Sequence, residues 1–396
     1  MTPAEAETDP SHNATAPDSK APAVMQVLPR LETGGVERGT VDITTALTTT
    51  GRRAIVVSAG GQMVREIKRA GGTHFTLPVD SKNPLTMRKN VAALTGIIAD
   101  NNVGLVHARS RAPAWSARPA AERAGIPFMT TFHGTYNFNN PAKKAYNAIM
   151  AKGDRVIAIS EFIGRHVAEV YDVPDDRIRV IPRGVDLEAF NPDSVSAERM
   201  IQLSQSWRLP DESPVVMLPG RLTRWKGQSV LIEAARRLAR PDVRVLLVGD
   251  DQGRTGYRDE LESQIARIGA EGIIHLTGPC HDIAAAYMLA DVVVSASTDP
   301  EAFGRVAAEA HAMGRPVIAS DHGGARETVI AGETGWLVPP GDADALAQAL
   351  CTALAMTSAE RETVARRAIA HIRDNYTKPQ MCTATLAVYD ELMSPA

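Results

Sequence analysis

Short apolar runs rich in Val and Ile recur along the chain at 24–28, 54–58, 105–107, 128–132 and 156–159, separated by longer mixed stretches. Consecutive rather than alternating apolar positions mark strands covered on both faces, and the stretches between them have helical length. The rhythm therefore predicts a parallel sheet flanked by helices. Phe190, Asn191 and Pro192 break the pattern, which restarts at 215–218, 243–248, 273–276, 292–295 and 317–319. The expected fold class is α/β, with two doubly wound Rossmann-like domains facing each other across a cleft. The expected layout is a disordered tail over 1–23, an acceptor-side domain over 24–190, a linker over 191–213 and a second domain over 214–375. A closing helix over 376–396 is expected to cross back to the first domain. In doubly wound sheets ligands sit beyond the carboxyl ends of the strands, so the loops that follow strands are the places to look for chemistry.

Length supports the two-domain reading, since 396 residues exceed what one core organises. A hydrophobic share of 44% with 22% charged residues belongs to a soluble globular protein. Cys280, Cys351 and Cys382 lie far apart with no CxxC, which suggests neither a zinc site nor a disulfide framework and fits a reducing compartment. The tail lacks the basic start and apolar run of a secretory signal, and no run approaches the roughly 18 apolar residues that span a bilayer. The expected location is the cytoplasm.

Net charge is −3, but it is unevenly spread. Residues 24–186 hold 22 Lys and Arg against 14 Asp and Glu, whereas 187–396 hold 20 against 28. A first domain at +8 suits an anionic partner such as a phosphorylated acceptor or an anionic lipid surface, a reading to be weighed against a dispersed set of solvated charges. Lys143, Lys144 and Lys152 among Tyr146, Ile149 and Met150 would make peripheral contact with the inner face of the cytoplasmic membrane. The alternative is an amphipathic helix packed on its own sheet. No Lys/Arg stripe interleaved with aromatics occurs, so nucleic acid is not an expected partner.

Three loops carry candidate chemistry. In the first, a strand leads into Thr33, Gly34, Gly35, Val36, Glu37 and Arg38 at the start of a helix. Adjacent glycines let backbone N–H groups approach an anion, and the helix dipole favours it. The spacing is not GxGxxG, so a dehydrogenase fingerprint is absent. In the second, Pro219 to Gly227 follows a strand, and Arg221 supplies a planar fork and Lys226 a mobile charge, suited to a leaving diphosphate. In the third, Glu301, Ala302, Phe303, Gly304 and Glu309 follow a strand and open a helix. Its N-terminus can hold phosphate, Glu301 a sugar hydroxyl and Glu309, about two turns on, a ribose. Each loop alone is also compatible with an ordinary turn or a solvated charged loop. The ten histidines show no metal-ligand spacing, so no metal is expected.

In order and spacing, Gly34, Gly35, Glu37 and Arg38, then Gly220, Arg221, Lys226 and Gly227, then Glu301 to Glu309 with Gly323, Gly324 and Glu327, resemble the retaining glycosyltransferases of family four. Phe132, His133 and Gly134, the 159–161 segment, and Gly184 to Asp186 add to the match, as do Gly332, Thr334, Gly335, Leu337, Pro340, Gly341 and Asp342. The resemblance covers nearly all of 24–376 and implies the GT-B fold. It implies a UDP- or GDP-sugar as substrate, no cofactor, and transfer with retention to a hydroxyl of a glycan or lipid-linked acceptor, in cell-envelope polysaccharide or lipopolysaccharide synthesis. Residue by residue, it places Glu309 on the ribose and Arg221 and Lys226 on the diphosphate, with the backbone of Gly35, Phe303 and Gly304 assisting. Glu301 would meet the transferred sugar, and His133 would lie beside the reacting carbon. Arg183 and Ala302 depart from the Asn and Pro common at these positions in the family. A nucleotide-sugar epimerase of the same fold and a non-catalytic nucleotide-sugar-binding protein are the rival readings.

Overall fold

The structure, a computed structural model, describes residues 21–394. Two compact units emerge, one from residues 21–158, 167–179 and 382–394, the other from 159–166 and 180–381. Residues 1–20 of the expected tail lie outside the described residues, and Ala23 already opens the first strand.

The first unit holds β1 (Ala23–Val27), β2 (Ala54–Ser58), β3 (Thr73–Thr76), β4 (Val103–Ala108), β5 (Phe128–Phe132), β6 (Arg155–Ala158) and β7 (Ile178–Val180), in the order β3-β2-β1-β4-β5-β6-β7. All pairings from β3 across to β6 are parallel. The strands β1, β2 and β5 are buried along their whole length, as their unbroken apolar runs require. The order reverses between β1 and β4, which makes the carboxyl ends of these neighbours the switch point where such sheets bind ligands.

The second unit holds β8 (Val215–Pro219), β9 (Arg244–Val248), β10 (Ile274–Gly278), β11 (Val292–Ser295), β12 (Val317–Ser320) and β13 (Gly335–Val338), ordered β10-β9-β8-β11-β12-β13. Alternate residues face opposite sides, yet both sides are apolar. Val216, Leu218, Val245 and Leu247 pack with Leu231, Ile232, Leu346 and Leu350 on one face. Val215, Met217, Leu246 and Val248 pack with Ala285, Tyr287, Ala307 and Ala310 on the other. Here the order reverses between β8 and β11.

The segment 191–213 is more than a linker. It contains the helix Ala197–Ser206, started by Ser196, whose hydroxyl accepts from the Arg199 N–H. Met200 and Leu203, with Trp207 and Leu209 beyond the helix, pack onto the core around Tyr287, and Arg199 pairs with Asp282 at 2.7 Å. This apolar burial is what fixes the segment to the second unit. The helix Lys378–Met393 contributes residues 382–393 to the first unit. Within it, Tyr389 is fully buried with its hydroxyl 2.8 Å from His107 Nδ1, Asp390 pairs with Arg52, and Glu391 pairs with Arg155 and Arg179.

In the basic segment of the first unit, Ile149 and Met150 are buried, so it does not offer those apolar side chains to a bilayer. No helix among the described residues is long and apolar enough to cross a membrane.

Candidate active site

The loops after β8 and β11 flank the switch point of the second sheet, and close backbone contact ties them together. Gly227 sits at φ 75°, and a Cβ there would lie 1.8 Å from the Ala296 carbonyl oxygen, so only glycine allows the approach. The Thr298 N–H donates to the Trp225 oxygen at 2.7 Å across the same seam. This seam brings Lys226, at the end of one loop, to Glu301 in the other.

Lys226 Nζ lies 2.5 Å from Glu301 Oε1, and both side chains are largely buried, at 16% and 14% exposure. Ser297 Oγ donates to the same oxygen at 2.7 Å. His322 in turn fixes the Ser297 backbone, donating from Nε2 to its carbonyl at 2.8 Å. Glu301 is thereby held in one orientation by a cation and a hydroxyl, while its Oε2 takes neither of these bonds. Arg221 differs: it is exposed, and among the described residues its guanidinium has a long contact of 3.5 Å with Gln252 Oε1. Its backbone oxygen is anchored from below by the buried Gln228, at 2.9 Å.

Beyond Glu301, Phe303 is buried against the edge of Tyr376, and Gly304 adopts φ 87° to start the helix Arg305–Ala312 without a side-chain cap. Because the helix begins at Arg305, Glu309 lies one turn along it, nearer the N-terminus than the two turns expected from sequence. Both oxygens of Glu309 are engaged, Oε1 by Arg305 at 2.6 Å and Oε2 by the Tyr287 hydroxyl at 3.1 Å. Burial pushes the Tyr287 phenol well above its ordinary range, so it stays a proton donor to the carboxylate.

Arg221, Lys226, Glu301, Phe303, Gly304 and Glu309 thus all belong to the second unit, on two loops and one helix. Gly34, Gly35 and His133 belong to the first unit. Gly34 is the N-cap of the helix Gly35–Thr49, without a side-chain cap, and Glu37 stands in its first turn, favourably placed in the helix dipole. His133 follows β5 and donates its backbone N–H to the Tyr136 hydroxyl at 3.3 Å. Tyr136 itself takes φ 49°, rare for an aromatic residue, and receives Arg111 over its ring at 4.5 Å.

Ser297 and Tyr287 are site residues that sequence reasoning missed. Ser297 stands four positions before Glu301 past a strand end, a spacing that could have flagged it. Tyr287 lies in an alanine-rich helix 22 positions from Glu309 and carries no local signal.

Comparison with known proteins adds to this geometry. Residues 33–189 match the family model for Glycosyltransferase Family 4, and residues 200–371 match that for glycosyl transferases group 1, so matches run through both units. The structure of a glycosyltransferase from Rickettsia africae ESF-5 superposes with a TM-score of 0.89 at 36% identity, covering 95% of this chain and 100% of that one. The chain belongs to glycosyltransferase family four. Like other family-four enzymes of the GT-B fold, it is a glycosyltransferase. HepE of Anabaena, in complex with UDP and glucose, has a TM-score of 0.82 at 25% identity, over 94% of this chain and 100% of its own. A D-inositol 3-phosphate glycosyltransferase of Xylanimonas cellulosilytica is 33% identical over 251 residues, spanning 60% of this chain and 60% of that protein.

Proposed function

We propose that this glycosyltransferase moves a sugar from a UDP- or GDP-sugar to a hydroxyl of a glycan or lipid-linked acceptor of the cell envelope, with retention of anomeric configuration. The observation that carries the reading is the pairing of Glu301 with Lys226 beside the uncapped helix start at Gly304, with Glu309 clamped one turn further on. An anionic diphosphate between Lys226, Arg221 and that helix start would meet two cations and a favourable dipole, which is why the reading includes no cofactor or metal. Lys226 would exchange its bond to Glu301 for one to phosphate, leaving Glu301 to accept from a hydroxyl of the transferred sugar. Glu309 would accept from the ribose hydroxyls. His133 would stand beside the reacting carbon, with the backbone of Gly34 and Gly35 near the phosphate.

The bond from the anomeric carbon to the leaving phosphate oxygen breaks, and the bond to the acceptor oxygen forms on the same face. The acceptor proton passes to the phosphate. The protein's own task is positioning and charge stabilisation rather than nucleophilic attack. HepE, captured with UDP and glucose, supports the nucleotide class.

The test is incubation with a panel of UDP- and GDP-sugars, with and without acceptor glycans, in the presence of a chelator. Acceptor-dependent release of the nucleoside diphosphate is expected. Interconversion of the donor without release would instead identify an epimerase, and failure to bind or consume any nucleotide sugar would overturn the reading. Peripheral membrane contact through the basic first unit is part of the proposal. Co-sedimentation with vesicles of anionic but not neutral lipid checks it.

A further inference from the structure

Two segments marked out in the sequence, 159–161 and the turn with Gly323, Gly324 and Glu327, have no role in the donor contacts above. Both lie in the second unit, and they meet at the start of the helix Glu161–Tyr171. A helix start ordinarily leaves N–H groups open to an external anion. Here they are taken. The N–H groups of Glu161 and Phe162 donate to Glu327 Oε2 and Oε1 at 2.9 and 2.7 Å, and that of Ile163 donates to Ser160 Oγ at 3.1 Å. The anion at this helix start is internal, the Glu327 carboxylate.

Ser160 is fully buried, and its single hydroxyl proton goes to the Ala302 carbonyl at 2.6 Å. One hydroxyl therefore closes the helix and grips the loop beside Glu301. The other grip comes from Gly324, whose N–H donates to the Glu301 carbonyl at 2.8 Å. Gly323 sits at φ 60°, where a Cβ would lie 2.4 Å from the Glu301 oxygen, and a Cβ on Gly324 would lie 2.6 Å from Phe303 Cα. The turn is thus packed directly on the backbone of 301–303. The Tyr376 hydroxyl and His371 Nε2 donate to the Glu327 carbonyl at 2.9 and 3.3 Å, fixing the residue whose carboxylate holds the helix.

We infer that Ser160 and Glu327 are positioning residues of the donor site. They touch no donor. Ser160 sets the backbone of 302–304 through the Ala302 oxygen, and Glu327 holds the helix start that carries Ser160 while belonging to the turn that holds Glu301. The inference rests on the reading that the N–H groups around Gly304 meet the donor diphosphate, and it adds that their aim depends on a hydroxyl and a carboxylate from outside the loop.

The test measures UDP and GDP affinity by calorimetry for the wild type, Ser160→Ala, Glu327→Gln and Glu309→Ala, together with hydrogen exchange of the 301–305 amides. Ser160→Ala should weaken the nucleotide that the wild type binds by about three- to tenfold, the loss of one neutral hydrogen bond. Glu327→Gln, which removes a charge shared by two N–H donors, should cost about tenfold or more. In both variants 301–305 should exchange faster while 244–248, in the remote strand β9, is unchanged, a local signature that general destabilisation would not give. Affinity within twofold of wild type in both variants, or unaltered exchange at 301–305, overturns the inference. If the wild type binds neither nucleotide, or Glu309→Ala binds as tightly as wild type, the donor-site reading itself fails, and hydrogen exchange still decides whether Ser160 and Glu327 hold the loop.

Discussion

In the second sheet β8 reads Val-Val-Met-Leu-Pro and β11 Val-Val-Val-Ser, and the chemically active side chains begin only past the strand ends. The first sheet instead buries Gln26 on β1, His107 on β4 and Thr131 on β5 within the strands, with Arg109 just past β4. Several polar atoms of these groups bond one another, and one bonds a distant helix. Arg109 donates to Gln26 Oε1 at 3.0 Å, Gln26 donates to Thr44 Oγ1 at 3.1 Å, and His107 lies between Thr131 at 2.7 Å and Tyr389 at 2.8 Å. A buried polar group left unpaired costs free energy, so such a sheet face accepts only a complementary partner. Apolar area stabilises the second sheet with little selectivity, its buried polar residues Ser295 and Ser320 standing at the ends of β11 and β12. Paired polar groups let the first sheet select a segment 282 positions away.

The two units should respond to substitution in opposite ways. Arg221 is exposed and makes a long 3.5 Å contact with Gln252 Oε1, so Arg221→Met should lower kcat/KM on the order of 100-fold while the urea unfolding midpoint stays put. A matching fall in stability would break the contrast. Tyr389→Phe should do the reverse, costing about 1–3 kcal/mol in urea unfolding because His107 Nδ1 loses its buried partner.

The same site predicts a pH dependence. Burial, with the Arg109 charge adding to it, holds His107 well below its usual range, so it is neutral in the folded chain while the unfolded chain takes up a proton near pH 6.5. The unfolded state then binds more protons. The His107 contribution is complete above about pH 6.5 and falls as pH drops below it, by up to about 1.4 kcal/mol per pH unit. His107→Asn should flatten that slope in unfolding curves taken from pH 7 to 5. The smallest effect is expected at Tyr287→Phe, where loss of one bond to Glu309 should weaken UDP or GDP about three- to tenfold in calorimetry.

Much of this was legible in the sequence. Runs such as 54–58, 128–132 and 292–295 coincide with strands because strands covered on both faces must be apolar throughout. The edge strand β3, Thr-His-Phe-Thr, escaped for the converse reason: half-exposed, it carries no such run. The helix Ala197–Ser206 was hidden because Met200 and Leu203 stand among polar residues in a stretch bounded by Pro192 and Pro210. For the candidate site, Arg221, Lys226, Glu301 and Glu309 could be proposed because they stand on the loops and the helix start that follow β8 and β11. Ser160 and Tyr287 could not be assigned roles, since their meaning comes from contacts with Ala302 and Glu309 that only tertiary packing creates.

The allotment of residues 382–394 to the first unit orders events during synthesis. A ribosome that has just finished β7 has made all seven strands of the first sheet, but not Tyr389, which the His107 ring awaits. Some 200 further residues, 180–381, must emerge first, about 10–40 s at the usual rates of translation. Through that interval His107 Nδ1 of the nascent first unit must stay solvated, and its burial is complete only when the last helix docks.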